Sequence, residues 1–358
     1  MVAVVELSSG PGTTAAYARA ALGLIPGFVR SGDTLPDVEV RQRGVTVDRA
    51  HLAAYDRVCG FRLTDTLPAT YPHVLTFPLA MRLMTASDFP LPLIGLVHVT
   101  NRITVHRPIP SGAALDLSVG AGHLRDHPRG RQFDIVATAT VDGVEVWRGL
   151  STYLRLGPRP EPNGPRSTAA EAAETSTTAT GSTETDAAER GATGTGSTET
   201  DAAERGATAT GSTETDAAGT GSAGTDAAER GATESSAERG VAEAGATGAG
   251  SVWRVPSRVG GDYAAVSGDR NPIHTSWLGA RLFGFPRPIA HGMWTKAHAL
   301  AALEGRLPDA YTVEAAFKKP LLLPARATFT TAPTADGWTF ALASHHPHLT
   351  GTLTATLA

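Results

Sequence analysis

The sequence predicts an α+β protein made of two copies of one unit, each a curved antiparallel sheet wrapped around a central helix. Three observations carry this reading. Short blocks of the first part of the chain recur in the last part in the same order. Within each copy a helical pattern gives way to strand-like alternation. Between the copies, residues 158–250 hold almost nothing apolar larger than alanine.

The blocks fix the organisation. YDRVCGF (55–61) lines up with YAAVSGD (263–269), FPLAMRLMT (77–85) with RPIAHGMWT (287–295), and VHRPIPSGA (105–113) with FKKPLLLPA (317–325), the offset drifting only from 208 to 210 to 212. Duplication of one unit explains order and spacing together. In each copy a helix near the Tyr is followed by a loop, a longer helix and then strands. In the first copy GLVHVTNRITVHRPI, ALDLSVGAGHL, RQFDIVATATVDG and VEVWRGLSTYLRL read as four strands. In the second, PIAHGMWTKAHALAALEGRL reads as a mostly buried helix, with Ile289, Met293, Leu300 and Leu303 near helical spacing. TVEAAFKKPLLLPARATFTTA, GWTFALASHH and LTGTLTATL follow as strands, with turns at Pro324 and Asp336-Gly337.

The segment between the copies contains the fifteen-residue unit GSTETDAAERGATGT, starting at Gly181 and recurring at Gly196 and, decaying, at Gly211. Ordering a backbone residue costs roughly 1–2 kcal/mol, and this composition buries too little to offset it. A solenoid would need large apolar residues to stack its repeats. The expected division is therefore a first domain over 1–157, a disordered linker over 158–250 and a second domain over 251–358.

Composition excludes several classes of function. The chain of 358 residues is 41% hydrophobic, enough for two cores. Its 31 basic and 35 acidic residues leave a net charge of -4, with no basic cluster for nucleic acid or an anionic membrane surface. Cys59 is the sole cysteine, which rules out an intrachain disulfide and a cysteine zinc site and suits a cytoplasmic setting. The N-terminal stretch lacks a basic region and carries Glu6, so it does not read as a signal peptide; its run AALGLIPGF reads as a helix end packed on a domain. Nowhere do about 18 apolar residues run together, so no membrane-spanning helix is expected.

The stretch SGDRNPIH (267–274) is the candidate site. Asn271 and Pro272 suit the N-cap and first position of a helix PIHTSWLGARLF, which sets Asp269 just before that helix and His274 on its first turn. A carboxylate and an imidazole facing one small volume form a general acid/base pair able to hold a water. The plainer alternative is that Asp269 assists the cap and His274 is an ordinary histidine. Comparison of the copies argues against it, because Phe61 stands where Asp269 does and no histidine follows it. Gly292 is the second signal. At a helix start, where glycine costs about 1 kcal/mol relative to alanine, its N–H can receive a carbonyl oxygen that gains charge. Equally, it can permit close packing of helix on sheet. The block alignment places Arg82 opposite it.

These residues resemble the MaoC-like dehydratases, also called enoyl-CoA hydratase 2 or R-specific hydratases. Tyr263, Ser267-Gly268-Asp269, Asn271-Pro272-Ile273-His274 and Pro288-Ile289-Ala290-His291-Gly292 stand in that family's order and spacing. LPATYPHVLTFPLAMRLMT (67–85) is similar to the two-domain 3-hydroxyacyl-thioester dehydratases of actinobacterial type. The resemblance implies a tandem hot-dog fold and a hydro-lyase that interconverts trans-2-enoyl and (R)-3-hydroxyacyl thioesters of coenzyme A or acyl carrier protein. It implies that Asp269 and His274 activate water, that Asn271 supports them, and that the Gly292 N–H is the oxyanion donor. It implies no cofactor or metal, a first domain whose lost motif leaves space for a long acyl chain, and a pseudo-dimer within one chain, with a homodimer left open. A non-catalytic acyl-thioester-binding protein or partner subunit, and a thioesterase on the same fold, are the alternatives.

Other polar residues have weaker patterns. His73, His98 and His106 lie in separate apolar or strand contexts and read as core or surface histidines. HHPH (345–348) reads as a polar turn, and Lys318, Lys319 and Arg107 as strand ends or as partners for coenzyme A phosphates.

Overall fold

The structure, a computed structural model, describes residues 2–8, 32–93, 95–157 and 249–356. The expected helix end at AALGLIPGF and nearly all of the repeat segment lie outside the described residues.

The first copy contains β1 (Ala3–Leu7), β2 (Val38–Val45), α1 (Arg49–Cys59), α2 (Tyr71–Met84), β3 (Leu96–Val105), β4 (Leu115–His127), β5 (Gly130–Val141) and β6 (Val144–Leu156). The second contains β7 (Ala249–Val255), α3 (Val259–Ser267), α4 (Pro272–Thr275), α5 (Trp277–Leu282), α6 (Gly292–Ala302), β8 (Tyr311–Phe317), β9 (Ala325–Thr334), β10 (Gly337–Ala343) and β11 (Pro347–Ala355). All strands join one 11-stranded sheet in the order β1-β2-β4-β5-β6-β3-β8-β11-β10-β9-β7. Apart from β1, the two copies run outward in the same internal order from the β3–β8 pair, so the chain is a pseudo-dimer with one shared sheet. This is the tandem hot-dog architecture, α2 and α6 being the wrapped helices.

Local chemistry explains the helix ends. Asp48 caps α1 by accepting from the Ala50 and His51 N–H groups. α1 stops at Gly60 (φ 87) and α3 at Gly268 (φ 74), left-handed positions that glycine occupies without steric cost. Phe61 and Asp269 are the next residues in each copy, so their equivalence holds in three dimensions. The expected single helix after Asn271 is two: Ser276 is extended (φ -133, ψ 130) and its side chain caps a fresh start at α5.

The equivalence of Arg82 and Gly292 fails. Arg82 lies in the last turn of α2, whereas Gly292 is the first residue of α6. From Cys59 to Tyr71 is 12 positions and from Ser267 to Gly292 is 25, the excess holding α4 and α5. From Tyr71 to Val105 is 34 and from Gly292 to Phe317 is 25, which takes back most of that difference downstream. β1, β2 and β7 were not expected, and β1 pairs with β2 in parallel where an antiparallel sheet was expected. β7 begins at Ala249, inside the stretch assigned to the linker.

The core is continuous across the copies. Trp147, Leu79, Leu115, Leu300, Val313 and Leu349 are fully buried, each side chain stabilising by roughly 1.5–3 kcal/mol relative to exposure. Trp294 Nε1 donates to the Val58 carbonyl at 3.0 Å, and His298 Nδ1 meets the Cys59 carbonyl at 2.7 Å, tying α6 to the end of α1. At the seam Asn101 pairs with Ala315 and Ile103 with Val313. Lys296 of α6 is wholly buried over it, its Nζ donating to Asn101 O (3.0 Å), Asn101 Oδ1 (2.6 Å) and Val313 O (3.1 Å). Burial pulls the Lys296 pKa well down and the charge of Glu314 pulls it up. Three oxygens nonetheless match the three protons of an ammonium.

Removing one of those acceptors with Asn101→Leu should lower unfolding stability by about 1–3 kcal/mol in urea titration. Combining it with Lys296→Met should cost less than the sum of the two single changes, because both then lose the same interaction.

Candidate active site

Asp269, Asn271, His274 and Gly292 all line one cavity of about 300 Å³. The loop after α3 positions the first two. The Asp269 N–H donates to Ser267 Oγ at 3.1 Å, and Asp269 Oδ1 accepts from the Asn271 N–H at 3.2 Å. Asn271 Oδ1 accepts from the Ile273 N–H at 3.3 Å, so this side chain is the N-cap of α4.

His274 is oriented by its outer nitrogen. Nδ1 lies 2.8 Å from the Ile289 carbonyl, to which it donates, so the proton-free Nε2 is the acceptor. Burial lowers its pKa, while the Asp269 charge works in the opposite direction. The imidazole is therefore neutral near pH 7, as a general base requires.

His291 was quoted in the sequence motif without a role, and the structure supplies one. It is 2% exposed and stacks on His274 with ring centroids 3.7 Å apart. Its Nε2 donates to the Asp269 carbonyl at 3.0 Å and lies 3.8 Å from Asp269 Oδ2. Burial, reinforced by His274, brings its pKa down to about 3, so it stays neutral and acts as a donor that fixes the loop. Its position directly before Gly292 was the only sequence signal. Asp269, His274 and His291 offer ligand atoms within 4.8 Å of one another, a set a cation could use. Because His274 Nδ1 and His291 Nε2 donate to backbone carbonyls, the lone pairs left to offer are on His274 Nε2 and His291 Nδ1.

Gly292 opens α6, where the first N–H groups have no carbonyl one turn earlier. A Cβ there would sit 2.9 Å from the Phe317 ring. The close-packing reading of this glycine therefore holds, and the same absence of a side chain leaves its N–H at the cavity wall.

The first copy contributes more than expected. His73 of α2 and His98 of β3 line the cavity with Tyr153 of β6. His98 stacks on Tyr153 at 4.7 Å and on His73 at 6.2 Å, and tilts against Phe317 at 4.9 Å. Residues thus expected to be unrelated core histidines meet at the site. His106 does not; it pairs with Glu145 at 3.1 Å on the surface. Val74, Phe77, Met81, Met84, Leu93 and Leu96 give the cavity an apolar branch, and Lys318, Lys319 and His348 also line it, whereas Arg107 does not. Residues 344–346 form the expected bend between β10 and β11.

The arrangement provides a carboxylate, a neutral imidazole acceptor and a helix N-terminus around one partly apolar volume. Such a set can hold a water, move a proton and stabilise charge on a carbonyl oxygen. No helix among the described residues is long and apolar enough to cross a membrane.

Comparisons with known proteins bear on the family and the fold. The profile of the MaoC like domain matches residues 261–344. The chain is 32% identical over 345 residues to 3-hydroxyacyl-thioester dehydratase X of Mycobacterium tuberculosis, covering 94% of this chain and 95% of the relative. The crystal structure of HtdX from Mycobacterium tuberculosis superposes with a TM-score of 0.62 at 30% identity, over 89% of this chain and 100% of that one. A MaoC-like dehydratase from Phytophthora capsici shares the fold (TM-score 0.57, 14% identity, 91% of this chain and 97% of that one). On this coverage and identity the chain belongs to the MaoC-like 3-hydroxyacyl-thioester dehydratase family, hydro-lyases built on a tandem hot-dog fold.

Proposed function

We propose that the protein interconverts trans-2-enoyl and (R)-3-hydroxyacyl thioesters, carried by coenzyme A or acyl carrier protein, and that the second copy performs the chemistry. The observation that carries this is the convergence of Asp269 and His274 on one cavity beside the α6 N-terminus. In hydration, water held between the Asp269 carboxylate and His274 Nε2 gives up a proton as its oxygen bonds to the β-carbon. The electron pair of the double bond moves toward the thioester carbonyl, whose oxygen gains charge against the Gly292 N–H, and a proton is delivered to the α-carbon. Dehydration is the reverse. Asn271 supports the site through the loop that it caps. The R configuration rests on the family resemblance.

The apolar branch formed by α2 and β3 supports acyl-chain accommodation as the role of the first copy. Lys318 and Lys319 at the cavity suit the phosphates of a coenzyme A or phosphopantetheine carrier. A binding protein without turnover, or a thioesterase releasing free thiol, would be separated by assaying both the enoyl absorbance and thiol release.

With crotonyl-CoA and longer 2-enoyl-CoAs, Asp269→Asn and His274→Ala should each lower kcat/KM by roughly 10²–10⁴-fold. Circular dichroism should remain unchanged, and equal activity of the variants would remove the acid/base reading. Activity should appear with the (R)-3-hydroxyacyl and not the (S) thioester.

The pH profile has a defined sign. His274 must be neutral to accept a proton, and burial holds its pKa below the ordinary 6.5. Hydration kcat/KM should therefore be level above pH 6.5 and fall only at more acidic pH. An acid limb centred above 6.5 would contradict the assignment.

A further inference from the structure

One buried polar group at the cavity has no use in the reaction just described. Nε2 of His98 is shielded from solvent and has no hydrogen-bond partner. Its surroundings look constructed. The β3–β6 register shifts between His98 and Thr100, an irregularity of the kind that re-aims a strand side chain beside a site. The ring stacks on Tyr153 (4.7 Å) and tilts against Phe317 (4.9 Å), with the His73 ring alongside at 6.2 Å.

All four residues line the cavity, and so do the apolar side chains of α2. Phe317 is also the ring against which Gly292 packs, so the group stands next to the proposed carbonyl site, on the first copy's side. Burial keeps both imidazoles neutral, His73 at about 4 and His98 at about 3. Neither therefore carries a charge, and a bond from the His98 ring to the Thr100 backbone leaves His98 Nε2 as the acceptor.

A plain alkyl chain passing this point would leave the His98 nitrogen unsatisfied. A hydroxyl on the chain would satisfy it by donating its proton to Nε2. We infer that the His73–His98 pair is a specificity station that hydrogen-bonds a hydroxyl group on the acyl chain beyond C3, making hydroxylated acyl thioesters the preferred substrates. The inference rests on the hydratase reading above. A site that hydrogen-bonds a substrate hydroxyl discriminates strongly against the analogue lacking it.

The test uses the full chain and (R)-3-hydroxydecanoyl-CoA alongside the same thioester with one further hydroxyl at C5, C7 or C9. The expected result is at least a tenfold higher kcat/KM for one hydroxylated member, abolished as a ratio in His98→Phe and partly kept in His98→Gln, which retains hydrogen bonding. His73→Phe should reduce the same ratio. A wild-type enzyme that turns over the plain chain with no preference among the set overturns the inference and leaves the hydratase reading intact. So does a preference that survives His98→Phe. If no member, plain or hydroxylated, is turned over, the hydratase reading itself fails, and this one with it. The wild-type comparison decides the question even if a variant does not fold.

Discussion

The pairing of β3 with β8, with Lys296 buried across it, is the constraint on which the rest of the structure depends. Two sheets that could each stand apart become one through this strand pair, and the cavity takes its wall from both. Lys296 comes from the helix of one copy, and two of its three acceptors belong to a single residue of the other, Asn101. A buried cation without its acceptors is strongly destabilising. The interaction therefore specifies how the copies meet more than it adds to their stability, since an apolar contact there would tolerate a sliding register and this one does not. The same cation lowers the pKa values of His73 and His98, so the element that fixes the interface also helps to keep the first copy's side of the cavity uncharged.

Much of this was legible in the sequence. Four strands of each copy and the exchange of Phe61 for Asp269 follow from local pattern, because turn chemistry and alternation act over a few residues. The misplaced pairing of Arg82 with Gly292 shows where such reasoning stops. A longer approach to α6 and a shorter path away from it nearly cancel, so flanking blocks align while the helix between them does not. β2 and β7 escaped for a different reason: half of VEVRQRGV is charged or polar, and AGSVWRV joins directly onto the alanine- and glycine-rich segment.

The site was legible only on the side that one short stretch supplies. Asp269, Asn271 and His274 lie within six residues and announce themselves by spacing. The role of His291 depends on a hydrogen bond across 22 positions. The roles of His73 and His98 depend on the copies meeting, which no periodicity records. Read alone, each of those histidines sits in an apolar context and looks like core, and in burial each nearly is.

Burial and chemistry are in fact one requirement here. Four imidazoles surround the Asp269 carboxylate closely enough to feel its charge, and desolvation is the largest influence on every one of them. Kept neutral, they leave the carboxylate's field unscreened in a medium where electrostatic interactions act more strongly than in water. Gly292 illustrates the same point. Without a Cβ, α6 approaches Phe317 more closely than any other residue would allow, and that approach is what brings the helix N-terminus to the cavity. Close packing and an open N–H, alternatives when the sequence is read alone, are two consequences of one missing side chain.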